Sequence, residues 1–377
     1  MARARIIDSE GEAPPQSDQL AGWPHPRETA TLYGQPQAEA TIADAIASGR
    51  LHHGWLVTGE EGTGKATFAY RLARFLLAQP EELPSLVRSL DAPDERTARQ
   101  VASLSHPGLF VVRRAWDQSG KKFRQSIAID EVRALRHFLQ RTAASPWRVV
   151  IVDTADDLNL NSANALLKSL EEPPVRTVFL ILSNAPGRLL PTIRSRCRVL
   201  RLEPLGRDDL RHAVADACAL AGRPAPDSEE MPALARLGRG SVRRVLQLME
   251  GNALGIADAL TELLAGLPKL DRLAVHKLAG VTGSRESEAY TVAFDLLEEM
   301  LAEALRAASL EQSPKRFPQL RPLTALMKQG SLADWAGLWE TIASARGEAE
   351  RLNLDKAALL ITVFEKIGET ARTAARA

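Results

Sequence analysis

Apolar positions follow two regimes along this chain. Up to about residue 205, short β-branched runs alternate with stretches whose apolar residues recur every three to four positions. The runs "GWLVTG", "LFVV" (109–112), "RVVIVD" (148–153), "TVFLILSN" (177–184) and "RVLRLEPL" (198–205) predict strands. Helices are expected at "PQAEATIADAIASG" (36–49), which ends at a glycine, and behind the glycine-rich loop that follows the first strand. Two more are expected at "DEVRALRHFLQ" (130–140), with Asp130 near its cap, and at "SANALLKSLEEPP" (162–174), stopped by two prolines. Residues 79–107 form a polar, charged insertion with no clear core signal, and residues 1–22 read as a flexible tail.

Strands alternating with helices predict a mostly parallel sheet covered on both faces. Past residue 205 the strand signal disappears. "RDDLRHAVADACALAG" and "EEMPALARLGRGSVRRVLQLME" are helical, and a further helical block starts near 268. There Tyr290, Phe294, Leu297, Leu301 and Leu305 recur at helical steps, and "SPKRFPQLRP" (313–322) interrupts the block. The expected class is α/β followed by all-α: a tail at 1–22, an α/β domain at 23–204, a helical domain at 205–265 and a second at 266–377.

Composition narrows the function classes without choosing among them. The 377 residues carry a net charge of +1, so no global field draws the chain to nucleic acid, and any such contact needs a local patch. The cluster Arg113, Arg114, Lys121, Lys122 and Arg124 is the candidate patch, against the competing reading of a solvated hairpin. Two cysteines, Cys197 and Cys218, exclude a disulfide scaffold and a four-cysteine zinc site. No apolar run approaches the length of a membrane span, and the first residues have no signal-peptide core, so a cytoplasmic location is expected.

The candidate chemistry begins at "LVTGEEGTGKATFAYRLARFLL", from Leu56 to Leu77. Gly59, Gly62, Gly64 and Lys65 have the spacing of a P-loop, whose backbone N–H groups and lysine cradle phosphates. The next residue should carry the hydroxyl that ligates Mg2+, and it is Ala66. Thr67 stays among the candidate nucleotide-binding residues but does not obviously replace that hydroxyl, because one further residue turns a helix by about 100°. Asp153, ending "VVIVD", stands where a Walker B aspartate holds metal, but the following position has Thr154 rather than an acid that could orient water. Asp156 and Asp157 are expected to be solvated at a helix start. Two degraded positions predict a chain without meaningful ATP hydrolysis, with weak ATP or ADP binding left open.

"LLKSLEEPP" followed by "LSNAPGRLLPTIRSRC" resembles the bacterial clamp loaders, and the likeness extends from "GRLHHGWLVTGEEGTGKAT" and "SHPGLFVV" to "GSVRRVLQL", over roughly residues 25–250. The resemblance implies an AAA+ fold with a P-loop domain, a helical lid and a helical collar that joins subunits. It implies a hetero-oligomeric ring with gamma/tau and delta subunits, which loads a sliding clamp onto primed DNA as an accessory of a DNA polymerase. Within that family the degraded P-loop fits the stator, a non-hydrolysing member.

The resemblance also assigns residues. Ser195, Arg196 and Cys197 match the Ser-Arg-Cys motif, whose arginine reaches into a neighbouring subunit's ATP site. Asn184 matches sensor 1 and Arg243 sensor 2, against readings as a turn residue and as a solvated helix face shared with Arg239 and Arg244. The zinc module common in this family is not expected, because residues 79–108 contain no cysteine. The competing functions are an active AAA+ ATPase subunit of the gamma/tau kind and a P-loop small-molecule kinase.

Overall fold

The central strand carries the logic of the α/β half. In β1 (Gly54–Thr58), Trp55 and Val57 point into one apolar core and Leu56 into another, so the strand is buried on both faces. The computed structural model describes residues 15–87, 89–91, 94–120, 122–142, 144–282, 288–352 and 354–376. Lys121 therefore lies outside the described residues.

Helix α1 (Pro36–Ala47) precedes β1, and α2 (Lys65–Leu77) follows the glycine loop. Then come α3 (Glu95–Ala102), β2 (Leu109–Val112), a two-residue hairpin of β3 (Trp116–Asp117) and β4 (Lys122–Phe123), and α4 (Ile129–Gln140). The unit continues with β5 (Arg148–Val152), α5 (Leu160–Glu171), β6 (Thr177–Ser183), the short α6 (Pro191–Arg194), β7 (Arg198–Arg201) and α7 (Arg207–Leu220). Five strands form one parallel sheet in the order β2-β5-β6-β1-β7. Helices α1 and α2 cover one face, while α4 and α5 cover the other. The order makes β1 an interior strand and β7 an edge.

The remaining chain is helical, with α8 (Glu230–Gly238), α9 (Val242–Glu250), α10 (Ala253–Ala265), α11 (Arg272–Thr282), α12 (Glu288–Ser309), α13 (Arg321–Gln329), α14 (Leu332–Leu352) and α15 (Lys356–Ala374). The expected class, α/β followed by all-α, is the observed one. The chain divides into two compact units, residues 1–226 with 239–243, and residues 227–238 with 244–377. In the second unit α12 packs against α10, α13 and α14, burying Tyr290, Phe294, Leu297 and Leu301. Among the described residues, no helix is long and apolar enough to cross a membrane.

Three local expectations change. Residues 15–22 are packed rather than free: the Asp18 side chain is 1% exposed and pairs with His25 at 2.9 Å and Arg113 at 3.0 Å. Further along the same segment, the buried arginines of α2 take main-chain partners, Arg74 donating to Arg27 O and Thr29 O and Arg71 to Ala30 O, and Arg71 also pairs with Glu39 and Asp91. The polar insertion contains α3, which Asp94 caps by accepting from the N–H groups of Arg96 and Thr97. It buries only Thr97 and Val101, too little to register as periodicity. Asp130 does not cap α4; Ala128 precedes the helix, and Asp130 pairs with exposed Arg133 in the first turn.

Candidate functional site

The glycine loop has the backbone its sequence requires. Gly59, Gly62 and Gly64 all have positive φ, at 150°, 78° and 96°. A Cβ on Gly62 would lie 2.1 Å from Ser241 Oγ, and one on Gly59 would lie 2.5 Å from Leu202 O. Two neighbours hold the loop: Val242 N–H donates to Gly62 O at 3.0 Å, and the Gln35 side chain donates to Thr63 O at 3.2 Å. Gln35 also bridges to the chain beyond β7, donating to Glu203 O and accepting from Glu203 N–H. A glutamine just before a proline-started helix carries no sequence mark of this role.

Lys65, at the head of α2, is buried and turned onto its own loop. Its Nζ donates to Gly59 O at 2.8 Å and Glu60 O at 2.6 Å. Burial lowers its pKa to about 8, although Asp153, Glu61, Asp156 and Glu60 all favour the charged form. The sensor-2 candidate Arg243 sits beside the loop at the start of α9, where its Nε meets Glu61 Oε1 at 3.0 Å. Arg244 pairs with Glu299, so neither is part of a free solvated face. Ala66 and Thr67 are half-buried in the first turn of α2, and Ala66 packs against the apolar core.

Asp153 ends β5 as expected. Enough protein encloses its carboxyl to push its pKa up to about 7, with the charge of Asp18 adding to the rise. Its hydrogen-bond donor is the neighbouring Thr154 hydroxyl, at 3.1 Å. These residues do not fit a catalytic Mg2+. Ala66 offers no oxygen, Asp153 is held toward its protonated form, and Thr154 is engaged in place of a base.

Asp156 and Asp157 are half-buried and engaged by neighbours rather than free in solvent. Asp156 accepts from the Ser183 hydroxyl at 2.6 Å and from the N–H groups of Asn184 and Ala185, closing the end of β6. Asn184 itself is exposed and stands at the strand end where sensor 1 was expected. Asp157 pairs with Arg114 at 2.9 Å, and burial raises its pKa.

The basic cluster is largely neutralised from within, Arg113 by Asp18, Arg114 by Asp157 and Arg124 by Glu131 at 3.6 Å. That weakens its reading as a phosphate-binding patch. Among the histidines, His106 accepts from Gly108 N–H in a turn, and His52 and His53 stack on each other.

Arg196 lies on the segment between α6 and β7, at the edge of the sheet. Its Nη2 meets Glu171 Oε1 at 2.7 Å, and its Nη1 donates to Thr192 O at 3.0 Å. The pair is open to water, the side chains being 36% and 47% exposed. Arg194 and Arg198 flank it, both exposed. Cys197 is half-buried, and burial pushes its thiol up to about 11, out of the range of a reactive thiolate. Thus the loop, Asp153 and Arg243 are brought together around β1 and β5, while Arg196 stands apart on the outer edge.

Comparison with known proteins bears on this arrangement. The family described as "DNA polymerase III, delta subunit" matches residues 34–206. DNA polymerase III subunit delta' of Pseudomonas aeruginosa is 34% identical over 234 residues, covering 60% of this chain and 64% of that protein. The Escherichia coli subunit delta' is 30% identical over 233 residues, covering 61% of this chain and 64% of that protein. Subunit gamma/tau of Mycobacterium bovis is 30% identical over 242 residues, covering 62% of this chain and 38% of that protein. The chain spans slightly under two thirds of the length of the delta' relatives it matches.

Proposed function

We propose, from its kinship with DNA polymerase III subunits delta' and gamma/tau, that this chain is the delta' subunit of a clamp loader, the stator of the ring. In this reading residues 23–204 are the AAA+ domain, 205–265 the lid and 266–377 the collar through which the subunits join. The gamma/tau and delta subunits are its partners, and the sliding clamp and primed DNA are met through the complex, in the cytoplasm.

The observation that carries the reading is the inward engagement of the P-loop beside an outward Ser-Arg-Cys segment. Lys65 is spent on Gly59 O and Glu60 O, and Ala66 has no ligand atom. Arg196 is partly exposed at the edge of the sheet, where a neighbouring chain can reach it. An arginine offered in trans to a transferring phosphoryl group lowers the barrier by stabilising charge on its oxygens. The chain thereby contributes to a reaction in its neighbour's site that its own site does not perform. A gamma/tau-like ATPase would need Ala66 and Thr154 to act as ligand and base, and neither has the chemistry. A P-loop kinase leaves the helical second unit and the Ser-Arg-Cys motif without a role.

The test is Arg196→Ala in the complex reconstituted with the gamma/tau and delta subunits. The variant is expected to fold and assemble normally while DNA-stimulated ATPase and clamp loading fall. Wild-type loading with this variant would refute the trans role.

In the same reading, the apolar residues of α15 are not the surface that meets a neighbouring subunit. Phe364 and Ile367 of α15 are fully buried inside their own unit, with Ile361 half-buried, so they do not form a free face for a neighbour. If the collar joins subunits, it does so through other surfaces of the helical block. A chain lacking 268–377 that still bound its partners at full affinity would remove the assignment.

A further inference from the structure

We infer that Glu171 is a positioning residue for Arg196, an inference that rests on the trans role just proposed. Glu171 is the last residue of α5, which stops there because Pro173 and Pro174 cannot continue a helix. The "LEEPP" stretch therefore delivers a carboxylate at a fixed place on the rim of the sheet. That carboxylate meets Arg196 Nη2 at 2.7 Å. On the other side, Arg196 Nη1 donates to Thr192 O at 3.0 Å and lies 3.4 Å from Ser195 Oγ.

The pair does little for stability, because both side chains are substantially exposed and water screens their attraction. It does not mask Arg196 either, since these contacts leave Nε–H and a second N–H of Nη2 for a phosphoryl group. Its effect is geometric. Three arginines stand within five residues of this segment, at 194, 196 and 198. Of the three, and among the described residues, only Arg196 is held by both a carboxylate and a main-chain carbonyl. A free arginine must lose rotamer freedom to dock on a phosphoryl oxygen, and one already held loses less. Two of its nitrogens are fixed by these contacts, Nε makes neither of them, and the fork is presented in one orientation. Glu171 thus selects which of three neighbouring cations enters the partner's site.

The experiment compares Glu171→Ala, Glu171→Gln, Arg196→Ala and the Glu171→Ala/Arg196→Ala double variant. Each is reconstituted with the gamma/tau and delta subunits, and DNA-stimulated ATP turnover is measured. Glu171→Ala is expected to lower kcat about two- to tenfold, the scale of ordering one long side chain at an interface, with KM for ATP and assembly unchanged. Glu171→Gln keeps an oxygen acceptor in place and is expected to stay within about twofold of wild type. In the Arg196→Ala background the Glu171→Ala change is expected to have no further effect.

If Arg196→Ala lowers turnover but Glu171→Ala does not, the positioning role fails and the trans role stands. The positioning role also fails if Glu171→Gln falls as far as Glu171→Ala, or if Glu171→Ala still lowers turnover when Arg196 is absent. If Arg196→Ala leaves turnover unchanged, the trans role fails and the inference falls with it.

Discussion

At the P-loop, both candidate phosphate-binding cations have partners inside the chain: Lys65 on two loop carbonyls and Arg243 on Glu61. On the α6–β7 segment, Arg194 and Arg198 are exposed, and Arg196 is held by a single water-accessible carboxylate and a carbonyl. For Lys65 the difference follows from burial, whereas the Arg243–Glu61 pair is about as open to water as that of Arg196. A cation enclosed by protein must be satisfied where it stands, because leaving it unpaired costs several kcal/mol. A cation at the rim keeps water as a partner and can exchange it for another chain. The same residue type is thus structural in one region and available in the other.

The sharpest way to break this contrast is to compare Arg196→Ala with Lys65→Ala in the assembled complex. Arg196→Ala is expected to reduce DNA-stimulated ATPase at least about tenfold. That is less than the roughly 10³–10⁵ of a sole arginine finger, because in the proposed ring other subunits would keep their own. Lys65→Ala is expected to leave it within about twofold. Equal losses in the two variants would mean that the P-loop also takes part in turnover.

A second comparison uses glycines. Gly62→Ala forces a side chain into a positive-φ position 2.1 Å from Ser241 Oγ, and is expected to destabilise the chain by about 1–3 kcal/mol. Gly187, on the outward stretch before α6, has open space around its Cβ position, and Gly187→Ala is expected to change stability by less than about 0.5 kcal/mol. Urea unfolding midpoints distinguish the two; a tolerated Gly62→Ala would show that the loop is not pinned.

The pH dependence of stability sharpens the buried side. Asp153 has a folded pKa of about 7, above its ordinary 3.8, so between about pH 4 and 7 the native state binds more protons than the unfolded one. Stability is expected to fall as pH rises through that window and to level off above it. Lys65 has a folded pKa of about 8, below its ordinary 10.5, so its contribution rises with pH between those values. Asp153→Asn is expected to flatten the lower slope and leave the upper one. An unchanged lower slope in that variant would place its origin elsewhere.

The smallest effect is expected at Arg198→Ala, within about 0.5 kcal/mol of wild type in stability, because this residue is exposed at the start of an edge strand. A larger loss would mean that the outward segment is as structurally committed as the loop.

Most of the α/β frame is legible in the sequence. The strands at 148–152 and 177–183 fall where uninterrupted apolar runs place them, because a strand buried on both faces cannot hide its composition, and the edge strand at 109–112 also falls on its run although Phe110 and Val111 are half-buried. Helix α5 stops short of its prolines for an equally local reason. Helix α3 escapes a reading by pattern because a helix that buries two side chains has almost no apolar period. Residues 15–22 read as tail because their tie is the contact of a buried Asp18 with His25 and Arg113, which composition presents as polar and free.

At the candidate site, the sequence by itself determined which atoms are present: three glycines and a lysine at phosphate-cradle spacing, no hydroxyl at Ala66, no base at Thr154, and an arginine between Ser195 and Cys197. Those are covalent facts, and no packing can add an oxygen to alanine. Only the tertiary structure decided what the atoms face. It turned Lys65 onto its own loop, drew Asp156 under the end of β6, and set Glu171 against Arg196 across 25 residues of chain. Such partners are chosen by where helices and strands come to rest, and distance in space has no fixed relation to distance along the sequence.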